Sequence, residues 1–168
     1  TPLAIALHRE PSPEYMKTGR LVELNRMEEP SAWRKNSAGK LTIRRDETER
    51  AIEFQTSFPV GVDRWSYPEF LIPAGFLNDA FAIGFEVKVT PADQIRQMVL
   101  MAVCSDAKEH GPYISITVPA PTGEWEYRSV FLPSHPRPET IRMFRLGVNA
   151  FTQEVSVKIR NVKVFYSR

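Results

Sequence analysis

The chain has 168 residues with 22 basic and 20 acidic side chains, a formal charge of +2; its length predicts one globular unit with a core of its own. Hydrophobic residues at 42% and charged residues at 25% exclude disorder, and so weak a charge, with no basic stretch interleaved with aromatics, excludes a nucleic-acid partner. The 14 prolines exclude a helical bundle, because each interior proline costs a helix about 3 kcal/mol, and no apolar run nears the ~20 residues of a membrane-spanning helix, so no membrane partner is expected.

In chain order, residues 1–19, with Pro2, Pro11 and Pro13, read as a lead-in or linker, and residues 20–168 as a single β-sandwich domain. Trp33, after Glu28-Glu29-Pro30, is assigned to packing of the N-terminal segment. Residues 40–44 and 49–54 alternate polar and apolar over strand length, and the charged run 44–50 between them reads as a solvated turn. Trp65 and Tyr67 stand just before a strand start at 70–72. They either flank a binding groove or plug the end of the sandwich.

Residues 81–90 give the clearest strand, with Phe81, Ile83, Phe85, Val87 and Val89 on one face and Glu86 and Lys88 on the other. Thr90-Pro91-Ala92-Asp93 predicts an N-cap with proline in the first turn, opening one or two turns of helix to Gln97. Residues 97–105 are apolar on both faces, as suits a central strand covered on each side. Strands follow at 113–118, 124–132, 141–149 and 155–166. The last changes phase, from Val155, Val157 and Ile159 to Val162 and Val164, which predicts a bulge at Arg160-Asn161. Turn signals at intervals of roughly ten residues complete an all-β reading: an antiparallel β-sandwich of jelly-roll topology.

Signatures of catalysis are missing from the sequence. It contains no Gly-rich phosphate loop, Gly-x-Ser-x-Gly, His-Glu-x-x-His or Cys-x-x-Cys. The single Cys104 forbids an internal disulfide, and His8, His110 and His135 lack metal-ligand spacing. No cofactor is expected, the alternative being a structural calcium with oxygen ligands to which Glu28 or Glu47 contributes. Glu86 and Glu126 could face each other as a hydrolase pair, but polar strand faces explain them more simply. Tyr113 and Arg145 are the conceivable base and cation of a lyase.

The aromatic side chains, 10 Phe, 5 Tyr and 3 Trp, point elsewhere. Sugar rings stack apolar C–H faces on Trp and Tyr, and their hydroxyls accept hydrogen bonds from Arg, Asn and Lys and donate them to Glu. Strand phases put Glu86 and Lys88, then Tyr113, Ser115 and Thr117, then Met143, Arg145, Gly147 and Asn149 on non-core faces. If their strands share a sheet, these residues make one wet, polar surface suited to a polyol. Trp125 shares a face with Tyr127, whereas Val130 and Leu132 have the opposite phase. Either Trp125 lies on the polar face, or a bulge turns it into the core, the reading preferred here.

Several stretches carry a family resemblance. Residues 22–33 (VELNRMEEPSAW), 76–88 (FLNDAFAIGFEVK), 123–131 (GEWEYRSVF) and the closing pair 145–149 (RLGVN) and 157–164 (VKIRNVKV) resemble jelly-roll, galactose-binding-like carbohydrate-binding modules of polysaccharide-degrading enzymes. The resemblance implies a non-catalytic module that holds a glycan on a concave sheet, often beside a structural calcium. It carries over to Tyr113, Arg145 and Asn149. The full candidate set is Tyr113, Trp125, Tyr127, Arg145 and Asn149, with Glu86 and Lys88 as polar supports and Trp65 and Tyr67 on the rim. Expected partners are a polysaccharide or oligosaccharide and the catalytic domain of a parent enzyme, in a secreted or periplasmic setting. Thr1 in place of Met predicts a processed chain or a piece of a larger one. The rivals are a structural sandwich packed on a catalytic domain and a jelly-roll lyase or hydrolase.

Overall fold

Alternating apolar and polar residues commit most of the chain to extended structure, in which a strand buries one face and wets the other. The computed structural model describes residues 2–6, 20–104, 113–135 and 137–167, with the backbone alone described for residues 2–6, 104 and 113. Its strands are β1 (Pro2–Ala6), β2 (Arg20–Glu23), β3 (Trp33–Arg34), β4 (Lys40–Asp46), β5 (Ala51–Ser57), β6 (Trp65–Ser66) and β7 (Glu69–Leu71), then β8 (Ala80–Thr90), β9 (Ile95–Cys104), β10 (Tyr113–Val118), β11 (Glu126–Phe131), β12 (Ile141–Ala150) and β13 (Glu154–Tyr166).

The strands form two sheets. A seven-stranded sheet runs β1-β10-β9-β12-β7-β3, with β6 also paired to β12. A six-stranded sheet runs β11-β8-β13-β5-β4, with β2 also paired to β13. The pairings are antiparallel apart from β1 on β10, which is parallel. Part of the expected lead-in is therefore an edge strand of the larger sheet.

The core lies between the sheets and is filled by the apolar phase of each strand. Ile83, Phe85, Val87 and Val89 of β8 meet Leu100 and Ala102 of β9 and Phe144, Leu146 and Val148 of β12, all buried. Trp33 is packing, as expected: its ring meets Phe54 edge-on at 4.8 Å and Phe70 at 5.4 Å, and its Nε1 donates to the Met27 carbonyl at 2.7 Å. In β13 the pairing with β8 slips between Arg160 and Lys163, where Asn161 has a φ of 54°. The bulge lets Val155, Val157 and Ile159 and then Val162 and Val164 all face inward.

Two local expectations are corrected. Residues 91–93 make a bend and turn rather than a helix, with Asp93 at a φ of 60°, and among the described residues helix is confined to 3-10 turns at 25–28, 30–32 and 138–140. Strand β9 is central, between β10 and β12, and among the described residues its outer face is covered in part, with Val103 buried. Its outward Val99 and Met101 are half-buried.

Candidate functional site

The outer face of the seven-stranded sheet is assembled by register. Two short strands, β6 and β7, lie along β12 with Tyr67 and Pro68 between them. Ser66, Pro68 and Phe70 are buried, so strand alternation turns Trp65, Tyr67, Glu69 and Leu71 outward. Trp65 pairs with Asn149, and Asn149 with Gln97. Further along, Gly147 pairs with Val99 and Val99 with Thr117. A third row runs Arg34, Glu69, Arg145, Met101, Ser115 across five strands.

Trp65 and Tyr67 stack on each other, ring centroids 5.3 Å apart and planes within 5° of parallel. Tyr67 lies close over Gly147, where a Cβ would stand 2.9 Å from the ring's Cε1 and 2.7 Å from Val99 Cγ2. The lack of a side chain at 147 is what lets the phenol rest on the sheet. Both aromatic residues are half-buried on the outer face of the sheet, and they do not plug the end of the sandwich.

Beside the rings, Arg145 donates from Nε and Nη2 to Glu69 Oε2 at 3.0 and 2.7 Å. Asn36 Nδ2 reaches the same oxygen at 3.4 Å, and Arg34 Nη2 reaches Oε1 at 3.4 Å. The Glu69 side chain is 10% exposed, against 27% for Arg145 and 57% for Arg34. Asn149 is held by its Nδ2 donating to the Arg64 carbonyl at 3.1 Å. Donors and ring faces thus share one surface, fixed before any ligand arrives.

Trp65, Tyr67, Arg145 and Asn149 are brought together here. Tyr113 belongs to β10 of the same sheet, and its side chain lies outside the described residues. Glu69, Arg34 and Asn36 were not among the expected residues. Reading 65–71 as one interrupted strand would have put Glu69 in phase with Trp65 and Tyr67, but Pro68 argues against a continuous ladder.

The other four candidates are not on this face. Glu86, Lys88, Trp125 and Tyr127 lie on the opposite side of the molecule, because β8 pairs with β11 and β13 and not with β10 or β12. Trp125 is not in the core. It lies on the outer face of the six-stranded sheet, with the Arg160 guanidinium 3.9 Å and Lys88 Nζ 5.4 Å from its ring, and its Nε1 donates to Glu49. Glu86 accepts from Arg160 at 3.2 Å and from Asn161 Nδ2. Tyr127 pairs with Glu86 and lays its ring across Gly84.

An ion network closes that second face. Lys158 Nζ lies 2.8 Å from Asp46 and 2.9 Å from Glu49, and Lys88 lies 2.9 Å from Glu49. The Lys158 hydrogen bond pulls the Asp46 pKa down to about 2, and those from Lys88, Lys158 and Trp125 do the same for Glu49, also about 2. Burial alone would raise Glu53, but hydrogen bonds from Arg44 and Ser156 outweigh it and the net shift is downward. The run 44–50 makes the expected turn between β4 and β5, with Arg44, Glu47, Thr48 and Arg50 exposed, while its Asp46 and Glu49 reach back to Lys158 of β13.

The enzymatic alternatives find little geometry. Glu126 pairs with Val87 and Glu86 with Tyr127, so strand alternation puts the two carboxylates on opposite sides of one sheet. Glu126 is held ionised by Thr122 and Arg128. The conceivable lyase cation, Arg145, is bound to Glu69. Both acids considered for calcium, Glu28 and Glu47, ion-pair with Arg45.

No family model matches the sequence, and no match is found among curated proteins. Solved structures do match. A family 11 carbohydrate-binding module from Clostridium thermocellum, in complex with a β-1,3-1,4-mixed-linked tetrasaccharide, aligns with a TM-score of 0.61 over 89% of this chain and 98% of that one, at 15% identity. The fold is that of the β-sandwich carbohydrate-binding modules. A family 29 carbohydrate-binding module aligns with a TM-score of 0.53 over 88% of this chain and 92% of that one, at 12% identity. An agarase aligns with a TM-score of 0.63 and 8% identity, over 88% of this chain and 25% of the enzyme. Within this carbohydrate-binding-module fold, the stretches 76–88, 123–131, 145–149 and 157–164 fall on β8, β11, β12 and β13, which hold half of the buried core cluster.

Proposed function

We propose that the chain is a non-catalytic carbohydrate-binding module holding a glycan on the outer face of its seven-stranded sheet. The observation that carries this reading is the parallel Trp65–Tyr67 pair, with Tyr67 seated on Gly147, beside Asn149 in the row of Trp65 and Arg145 in the row of Glu69. An apolar sugar face docks on an aromatic ring, and the ring hydroxyls take hydrogen bonds from planar donors beside it. Arg145, Asn149 and Arg34 are those donors, with Glu69 holding Arg145 in place. Tyr113, expected at the same site, belongs to β10 of this sheet, with its side chain outside the described residues. A tetrasaccharide-bound module among the structural neighbours supports a glycan ligand, and an agarase with this fold as a quarter of its length supports a polysaccharide-degrading parent. Such a parent acts outside the cytoplasm, so a secreted or periplasmic setting accompanies the proposal.

Affinity electrophoresis in gels cast with a panel of neutral and acidic soluble polysaccharides tests it. At least one polysaccharide retards the native chain, and Trp65→Ala or Tyr67→Ala removes the retardation. Migration unchanged by every glycan would sink the proposal. New reducing ends or unsaturated products on incubation would contradict the non-catalytic part of it.

A further inference from the structure

The outward row Arg34, Glu69, Arg145 carries more positive than negative charge. Among the described side chains of β3, β6, β7, β9, β10 and β12, the ionisable ones are Arg34, Arg96, Arg142 and Arg145 against Glu69, four guanidiniums to one carboxylate, with Arg96 and Arg142 exposed at the register shifts of their strands. A neutral sugar needs donors and acceptors at this position, and the Arg145–Glu69 pair supplies both. Arg34 adds a second cation over the same carboxylate, held by a single ion pair at 3.4 Å with its side chain 57% exposed. A guanidinium offers five N–H donors. No acceptor of the described residues takes Arg145 Nη1 or Arg34 Nε and Nη1. Lys35 and Arg64, next in sequence to Arg34 and Trp65, extend the cationic character, opposed at the rim by Asp63.

Resting on the glycan-binding reading above, we infer that the ligand is an acidic polysaccharide, whose ring lies on Trp65 and Tyr67 while its carboxylate or sulfate ester meets Arg145 and Arg34. Tyr67 and Glu69 are two residues apart, about 7 Å along an extended strand, the separation between a sugar ring and an acidic group on that ring or the next. Charge-assisted bonds to a fork of N–H donors are stronger than neutral ones and fix orientation. The buried Glu69 keeps Arg145 in register without cancelling the second charge.

Titration calorimetry of the whole chain at low salt, with an oligogalacturonate, a sulfated galacto-oligosaccharide and a neutral mixed-linkage gluco-oligosaccharide, tests the inference. One acidic ligand binds at least about tenfold more tightly than the neutral one, and which acid does so identifies the substituent. Its affinity falls as salt rises. Arg34→Gln, an exposed change checked for folding by thermal melting, reduces the acid-over-neutral ratio by about tenfold. Trp65→Ala weakens the acidic ligand too, which ties the charge to the ring platform. Equal or tighter binding of the neutral sugar overturns the inference and leaves the glycan-binding reading standing. An unchanged ratio in Arg34→Gln, or acid binding that survives Trp65→Ala, overturns it as well. Binding of none of the three overturns the inference, and retardation in the polysaccharide gels decides the glycan-binding reading separately.

Discussion

Gly147 decides how close an aromatic ring can come to the sheet. A methyl group there would stand 2.9 Å from Tyr67 Cε1 and 2.7 Å from Val99 Cγ2, so Gly147→Ala must push the phenol outward and tilt the Trp65 ring stacked on it. Overpacking of this kind costs about 1–3 kcal/mol, and losing an aromatic anchor weakens binding by at least about tenfold. Gly147→Ala therefore lowers the melting temperature modestly and glycan retardation strongly. Unchanged retardation would detach Tyr67 from the site. Trp33 is the contrasting residue, because its ring faces the core and its Nε1 satisfies the Met27 carbonyl. Trp33→Phe removes that bond and leaves a void, for about 1–3 kcal/mol, and leaves retardation unaltered. Melting curves and gels on the same two proteins separate the roles.

At the scale of elements, β13 collects the charges of the second face. Its Lys158 and Arg160 reach Asp46, Glu49 and Glu86 from β4, the β4–β5 turn and β8. Folded, Asp46 and Glu49 release their protons only near about 2; unfolded, they take protons up near the ordinary carboxylate values. Acid thus favours the unfolded chain, and the stabilisation, fully present at neutral pH, is lost progressively as pH falls from about 5 to about 2. Glu49→Gln flattens that part of the melting-temperature profile, and an unflattened profile would show that the network contributes little. The bulge in this strand was legible in sequence, because apolar residues change from odd to even positions across Asn161. The pairing of strands was not. Alternation gives each strand a wet face without saying which sheet it joins, so Glu86 and Lys88 of β8 could be grouped with Arg145 of β12 although the core separates them. Likewise Pro68 hid the single phase that runs from Trp65 through Glu69.

For the molecule as a whole, the proposed function gives the two outer faces different work although both carry tryptophan and arginine. On the six-stranded sheet every cation near Trp125 already has a carboxylate partner: Lys88 with Glu49, Arg160 with Glu86. Its ring is itself covered by Arg160 at 3.9 Å, which leaves little for a ligand. On the seven-stranded sheet Trp65 stacks on Tyr67 and the guanidinium row has donors to spare. The core lies between these faces, and residues far apart without shared partners contribute independently, to within about 0.5 kcal/mol. Trp125→Ala therefore lowers the melting temperature and leaves glycan affinity as it was, while Trp65→Ala lowers affinity and leaves the melting temperature near its original value. In the double variant the two effects add. A loss of affinity in Trp125→Ala equal to that in Trp65→Ala would mean that the glycan reaches the second face, and the division of the molecule into a binding sheet and a supporting sheet would fall.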